Sequence, residues 1–293
     1  MRALFLLTAL FALVAPLRAE ETSTLVEKPL AQLTDRAITP LGERALAIRP
    51  TEWKHGETAN FAFHYFSDAT AKPMALEAEF YYRVISKELE RDTTKWERKC
   101  HVFVFEDDAD WAKFKTAGGL EPWSGGIHAQ GELFLQRDPH QKFKGNALAH
   151  ELTHLIVFRF FGPGVPLWLN EGLAEYTATR WYASFWRARG FGAFPKSMSV
   201  DPANYLPLGK LTSALSYPQK DAEVIAFYAE SERLVRFLSA SDKHKFSLFL
   251  EAMSKGARFD SALDKNFGTA FFNLDALEKQ FQPYAQKDHV DTP

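Results

Sequence analysis

The chain has 293 residues, of which 46% are hydrophobic and 25% charged, the composition of a folded globular protein with one large domain or two small ones. Its 35 basic and 37 acidic residues nearly balance, so it lacks the strong positive field that binds nucleic acid phosphates or an anionic membrane surface. We therefore expect no nucleic acid partner. Cys100 is the only cysteine, which excludes an intramolecular disulfide.

The N-terminus has the pattern of a secretory signal. Arg2 precedes an apolar run over residues 3–15 that is interrupted only by Thr8, and the small residue Ala19 follows at a position suited to cleavage. The run is shorter than the roughly 20 apolar residues of a membrane-spanning helix. Residues 1–19 are thus predicted to be removed, which leaves a secreted or periplasmic protein without a stable membrane anchor.

After a polar stretch at residues 20–50, predicted to be loosely ordered, residues 51–145 form the sheet-rich half of one domain. Apolar residues alternate in the strands and recur every three or four positions in the helices. The predicted elements are a strand at 59–66, a helix at 73–90 with Pro73 in its first turn, a strand at 99–105 that buries Cys100 as an inert thiol, a short helix capped by Asp107 or Asp108, and a strand at 131–136 (GELFLQ).

Residues 146–293 are predicted to be mostly helical and to complete the domain that spans residues 51–293. Helices are expected at 146–161, 167–186, 221–240, 242–254, 259–266 and 273–283. The sequence therefore indicates an α+β fold, with a mixed sheet and its helices followed by a helical half.

The sequence HELTH, residues 150–154, lies on the first of these helices. His150 and His154 are four residues apart, so both imidazoles face the same side of the helix and can bind one ion. Glu151 is adjacent and can reach a metal-bound water without acting as a ligand. The alternative is that both histidines satisfy hydrogen bonds in the core, which would leave the Glu151 carboxylate among apolar neighbours.

A catalytic zinc ion needs a third protein ligand and one open position. The sequence WLNEGLAEY begins a second helix after the short connection GPGVP, which makes the two helices neighbours. Glu171 can complete the ligand set, and Glu175, one turn further on, can accept a hydrogen bond from the far nitrogen of a ligating histidine. One Zn²⁺ per chain is expected.

These residues resemble the gluzincins, the thermolysin-like and M1-like metallopeptidases grouped as peptidase clan MA. In that pattern HExxH is followed, after a short connection, by a helix carrying Asn-Glu, matched here by Asn170 and Glu171. The resemblance implies a zincin-like fold with the active site between the two halves. It also implies that His150, His154 and Glu171 bind zinc and that Glu151 is the general base.

The resemblance extends to the sequence FYAESERLVRFL, which is similar to a tyrosine-bearing helix found downstream in many of these enzymes. It implies that Tyr228 stabilises the oxyanion, although a core aromatic at helical spacing is an equally good interpretation. The GxMEN motif of the M1 aminopeptidases is absent, which puts aminopeptidase action in doubt.

The favoured hypothesis is a zinc metallopeptidase, by default an endopeptidase, whose peptide or protein substrate adds as a strand along GELFLQ. His128, just before that strand, is more simply a solvated loop histidine than a substrate contact. Two alternatives stay open: a non-catalytic zinc-binding or protein-interaction scaffold of the same fold, and a zinc hydrolase acting on another amide or ester. Retention of Glu151 favours an enzyme, because a scaffold does not need that base.

Overall fold

The computed structural model describes residues 24–93, 98–120, 124–137, 146–191 and 202–287. Their architecture is α+β, as predicted: a six-stranded mixed sheet is followed by a helical half. The strands are β1 (Val26–Glu27), β2 (Lys54–Glu57), β3 (Phe61–Tyr65), β4 (Cys100–Phe105), β5 (Gly126–Ala129) and β6 (Glu132–Gln136). The helices are α1 (Pro40–Leu46), α2 (Asp68–Glu88), α3 (Asp108–Gly118), α4 (Ala147–Phe161), α5 (Leu167–Arg187), α6 (Leu208–Thr212), α7 (Asp221–Ser241), α8 (Lys243–Ser254), α9 (Phe259–Phe267) and α10 (Leu274–Ala285).

The sheet has the strand order β1-β2-β3-β4-β6-β5. Its centre, β3-β4-β6, is parallel, and the strands at both ends pair antiparallel to their neighbours. The central strands are buried on both faces, as parallel strands usually are. Phe63 and Val102 face the core beneath α2 and α4, whereas Phe103 and Phe134 pack on the other face with Trp111 of α3.

The helix α2 begins five residues earlier than the sequence analysis predicts. The Ser67 side chain caps it by accepting a hydrogen bond from the Ala69 N–H, so the chain is helical well before Pro73. Pro73 lies inside the helix, where it has no N–H to donate to the Ala69 carbonyl. The helix α3, by contrast, has its predicted cap, because Asp107 accepts from the N–H groups of Ala109 and Asp110.

The segment expected to be loosely ordered, residues 20–50, is built into the sheet half over much of its described part. The strand β1 pairs with β2, and the helix α1 is capped by Thr39. Buried carboxylates from distant strands hold the segment: Glu57 accepts from Thr34, and Glu132 accepts from the Thr39 N–H at 2.7 Å and the hydroxyl at 2.6 Å. The polar composition of this segment did not predict its order, because the residues that hold it lie 23 and 93 positions away in the sequence.

The sequence analysis has a substrate strand add along GELFLQ, which requires these residues to lie at a sheet edge, and this expectation is wrong. These residues form β6, which pairs with β4 on one side and with β5 on the other. The edge strand on this side is β5, four residues that were not predicted to form a strand, and its hairpin with β6 turns at Gln130 and Gly131. Four residues containing one glycine are too short for alternation to identify as a strand.

In the helical half, α4 packs against α5, and α5 packs against α7. Gly162, with φ of 77°, ends α4 as predicted. Gly172 brings α5 into backbone contact with α7, since a Cβ at this position would lie 2.3 Å from the Ser231 carbonyl oxygen.

Within the described ranges, no helix has the length and apolar character needed to cross a membrane.

Candidate metal centre

The two histidines of HELTH lie on the face of α4 that is turned toward α5. The Nε2 atoms of His150 and His154 are 3.0 Å apart, and the two rings are nearly perpendicular, at 81°. Two nitrogens bound to one tetrahedral zinc ion at about 2.0 Å each would be separated by roughly 3.3 Å. Both nitrogens therefore point at the same small volume.

Glu171 supplies the third donor from the first turns of α5. Its Oε2 atom lies 3.5 Å from Nε2 of His150 and 3.5 Å from Nε2 of His154. The side chain is only 4% exposed. Among the described residues, this oxygen has no hydrogen-bond partner. A buried carboxylate oxygen facing two imidazole nitrogens fits a cation between them, so these three residues form a group that could hold a metal ion.

The charge state of Glu171 suits such a group. Burial alone would raise the pKa of its carboxyl, but the adjacent His154 and His150 outweigh burial and hold the pKa well below its usual range. Glu171 is therefore anionic at neutral pH, as a carboxyl group must be to bind a metal ion.

Glu175 lies one turn beyond Glu171, at the far side of His150. Its Oε1 atom is 3.1 Å from Nδ1 of His150, so the Nδ1–H donates to Glu175 and Nε2 is left to face the centre. The equivalent nitrogen of His154, Nδ1, is buried and has no partner in the described part of the chain. The predicted orienting contact thus exists for one histidine of the pair.

Glu151 lies beside the three donors and is 9% exposed. Burial raises the pKa of its carboxyl, an effect that the nearby His150 and His154 partly oppose. The strand β5 passes directly over it: the His128 N–H donates to the carboxylate, and a Cβ at Gly126 would lie 2.8 Å from the Glu151 Cγ atom. The carboxylate of Glu151, the candidate base, therefore extends from α4 to the edge strand β5.

His128 belongs to β5 and is not a solvated loop residue. Its ring packs on Phe158 at 5.4 Å, and its Nε2 atom is buried. Burial, with His154 and Arg159 nearby, lowers the pKa of His128 to about 3, so the ring is neutral. The interpretation from sequence failed because it depended on the missed strand.

Two tyrosines complete the described surroundings of the centre. Tyr228, on α7, stacks on Tyr217 with centroids 6.0 Å apart, and their hydroxyls are hydrogen-bonded. Burial and the charges of Glu171, Glu175 and Glu151 raise the pKa of the Tyr228 hydroxyl. The Tyr217 hydroxyl donates to Oε1 of Glu171 at 2.5 Å.

Tyr217 was missed by the sequence analysis. It lies in the connection between α6 and α7, in the sequence SYPQK, where neither periodicity nor motif distinguishes it from other loop tyrosines. Only the folded arrangement brings it to Glu171, 46 residues earlier in the chain.

Three convergent donors beside a buried carboxylate, next to the edge of a mixed sheet, are an arrangement that suits a metal-dependent hydrolase. A comparison with protein families matches residues 123–287, more than half of the chain, to the peptidase MA superfamily. The chain belongs to this superfamily and is a metallopeptidase by family. No curated protein sequence gave a significant match.

Proposed function

We propose that the protein is a zinc-dependent peptidase in which His150, His154 and Glu171 hold one zinc ion. The observation that carries this proposal is Oε2 of Glu171, a buried anionic oxygen without a partner among the described residues, 3.5 Å from two imidazole nitrogens. Two histidines and one glutamate are a ligand set of catalytic zinc, and three protein ligands leave one position open.

When bound, zinc supplies a Lewis acid for the scissile carbonyl and makes water more acidic. The proton transfers belong to Glu151. Its carboxylate takes a proton from the attacking water and returns it to the nitrogen of the leaving amine. A pKa raised by burial suits this role, because a base works best when its pKa is near the operating pH.

The developing oxyanion needs a hydrogen-bond donor, and we assign Tyr228 to that role. Its raised pKa keeps the proton on the hydroxyl. Because Tyr217 donates its own proton to Glu171, Tyr228 donates to Tyr217 in the free protein, and its hydroxyl has to turn from Tyr217 to the oxyanion when substrate binds. The alternative, a core aromatic, has less support because Tyr228 is only partly buried.

The peptide substrate is proposed to bind along β5, not along GELFLQ. The Gln136 N–H donates to the Gly125 carbonyl, so alternation along the ladder directs the backbone groups of Gly126 and His128 away from β6. Of these groups the His128 N–H already donates to Glu151, which leaves the Gly126 backbone and the His128 carbonyl to pair with a peptide. A peptide lying there would be next to Glu151. Backbone pairing would give affinity without strong dependence on side chains, as expected of an endopeptidase.

The test is incubation of the purified mature chain with a mixed peptide library, with and without a chelator, beside Glu151→Gln. Cleavage that the chelator abolishes and the variant lacks, with about one zinc per chain retained in the variant, supports the peptidase. Zinc-loaded protein that leaves every peptide intact would instead favour the non-catalytic scaffold. Cleavage of only non-peptide amides or esters would identify the other hydrolase.

Secretion or export to the periplasm is proposed from the N-terminal sequence alone, since residues 1–19 lie outside the described residues. N-terminal sequencing of the exported protein is the direct test. A mature chain beginning at Glu20 is expected, and a chain that keeps residues 1–19 in the cytoplasm would contradict export.

A further inference from the structure

We propose that Tyr217 is a positioning residue that makes Glu171 bind the metal through one oxygen only. This inference rests on the proposed zinc site. It concerns how the third ligand is held, and it assigns a purpose to a tyrosine that lies outside the HELTH and NEGLAEY sequences.

The two carboxylate oxygens of Glu171 have different surroundings. Oε1 accepts the Tyr217 hydroxyl at 2.5 Å, a short hydrogen bond strengthened by the negative charge. Oε2 faces the two imidazole nitrogens and, within the described residues, accepts nothing. Turning the carboxylate to offer both oxygens to the ion would break the bond to Tyr217.

The position of Tyr217 does not depend on the metal. Its ring is stacked on Tyr228 and meets Phe227 edge-on, with centroids 6.0 and 6.1 Å apart. The chain leading to it is also anchored: the Leu206 N–H donates to Glu230 at 2.7 Å, and the Leu208 N–H donates to Glu278 at 2.6 Å. The hydroxyl is therefore in place before an ion binds.

Binding through one oxygen has a chemical consequence. Zinc in a catalytic centre keeps one of four positions for water or substrate, and a carboxylate that binds with both oxygens competes for that position. By hydrogen-bonding to Oε1, Tyr217 keeps the fourth coordination position free for water or substrate. It also restricts the Glu171 carboxylate beforehand, so less conformational entropy is lost when the ion binds.

The test compares Tyr217→Phe with the wild-type protein and with Tyr81→Phe. Tyr81 is a matched control, since its buried hydroxyl also donates to a carboxylate, that of Glu77, within α2. Zinc affinity is measured by competition with a chromogenic chelator. The Tyr217→Phe substitution is expected to weaken zinc binding about 10- to 100-fold, the usual effect of removing a group that orients a ligand, and Tyr81→Phe is expected to leave it unchanged.

Two further measurements separate positioning from general stability. In cobalt-substituted protein, Tyr217→Phe is expected to weaken the visible absorption, since higher coordination numbers give weaker bands than four-coordinate cobalt. In the peptide assay, kcat is expected to fall with KM little changed, because substrate binding along β5 does not involve Tyr217. Wild-type zinc affinity and an unaltered cobalt spectrum in Tyr217→Phe would overturn the inference while leaving the zinc peptidase intact. Failure of the wild-type protein to bind zinc would overturn both.

Discussion

The carboxylate of Glu175 lies 3.1 Å from Nδ1 of His150, on the side of the ring opposite the proposed ion. Both side chains come from neighbouring helices, and the bond fixes which imidazole nitrogen keeps its proton. Glu175→Ala is expected to weaken zinc binding about 10- to 100-fold because His150 loses this orientation. Chelator competition measures the effect. Glu175→Gln should recover part of the affinity through its amide oxygen, and equal affinities for all three proteins would contradict the role.

Gly126 is required by the close approach of β5 to Glu151. Gly126→Ala would put a methyl group 2.8 Å from the Glu151 Cγ atom and 3.0 Å from Oε1, so the carboxylate must move. We expect kcat to fall about tenfold or more, as a small misplacement of a catalytic group does, with zinc still bound. Gly125→Ala is the control, since its Cβ would meet no atom within 4 Å. Equal turnover in the two variants would show that Glu151 tolerates displacement.

Removal of the Tyr228 hydroxyl tests the proposed oxyanion donor. Tyr228→Phe is expected to lower kcat by about 10² or more, the typical loss for one such donor, without changing zinc content. Steady-state kinetics and metal analysis of the same preparation provide both readouts. Unchanged turnover would assign Tyr228 to packing against Tyr217 and Phe227 alone.

The buried Glu230 makes stability depend on pH. Burial raises the pKa of its carboxyl to about 8, above the value near 4.5 expected in the unfolded chain. The folded state therefore holds a proton that the unfolded state releases, so stability falls as pH rises from about 4.5 to about 8. Glu230→Gln removes this cost and is expected to be more stable than the wild type by about 2–3 kcal/mol at pH 7.

Urea denaturation at pH 5 and pH 7.5 measures this difference. The advantage of Glu230→Gln should be small at the lower pH and larger at the higher pH. A constant difference between the two proteins would show that Glu230 does not titrate in this range.

The convergence of His150, His154 and Glu171, the group that could hold a metal ion, could be predicted from sequence because their relative positions follow from local rules. His150 and His154 are one helical turn apart, and a five-residue connection forces the helix of Glu171 to lie beside them. The boundaries of the six helices predicted in this half agree to within about two residues for the same reason, since caps and periodicity are local, whereas the short helix α6 was not predicted. The buried state of Cys100 was also predicted correctly from its alternating strand.

The parts that sequence did not reveal depend on distant partners. The strand β5 is identified by its pairing with β6, α1 is held through Thr39 and Glu132, and Tyr217 reaches Glu171 only when α6 and α7 are in place. The alternation of apolar and polar residues that identifies a strand cannot be recognised over the four residues of β5. A single tyrosine in a loop, such as Tyr217, belongs to no periodic pattern at all. These interactions therefore required the folded chain.

The backbone contact between Gly172 and Ser231 has a consequence for ion selectivity. It locks α5 against α7 immediately after Glu171, so the third ligand cannot approach or retreat by a shift of its helix. A cation of larger radius than zinc would have to be accommodated by side-chain rotation alone, against the Tyr217 and Glu175 bonds. Rigid helix packing is thus expected to limit the size of ion that the proposed zinc site accepts.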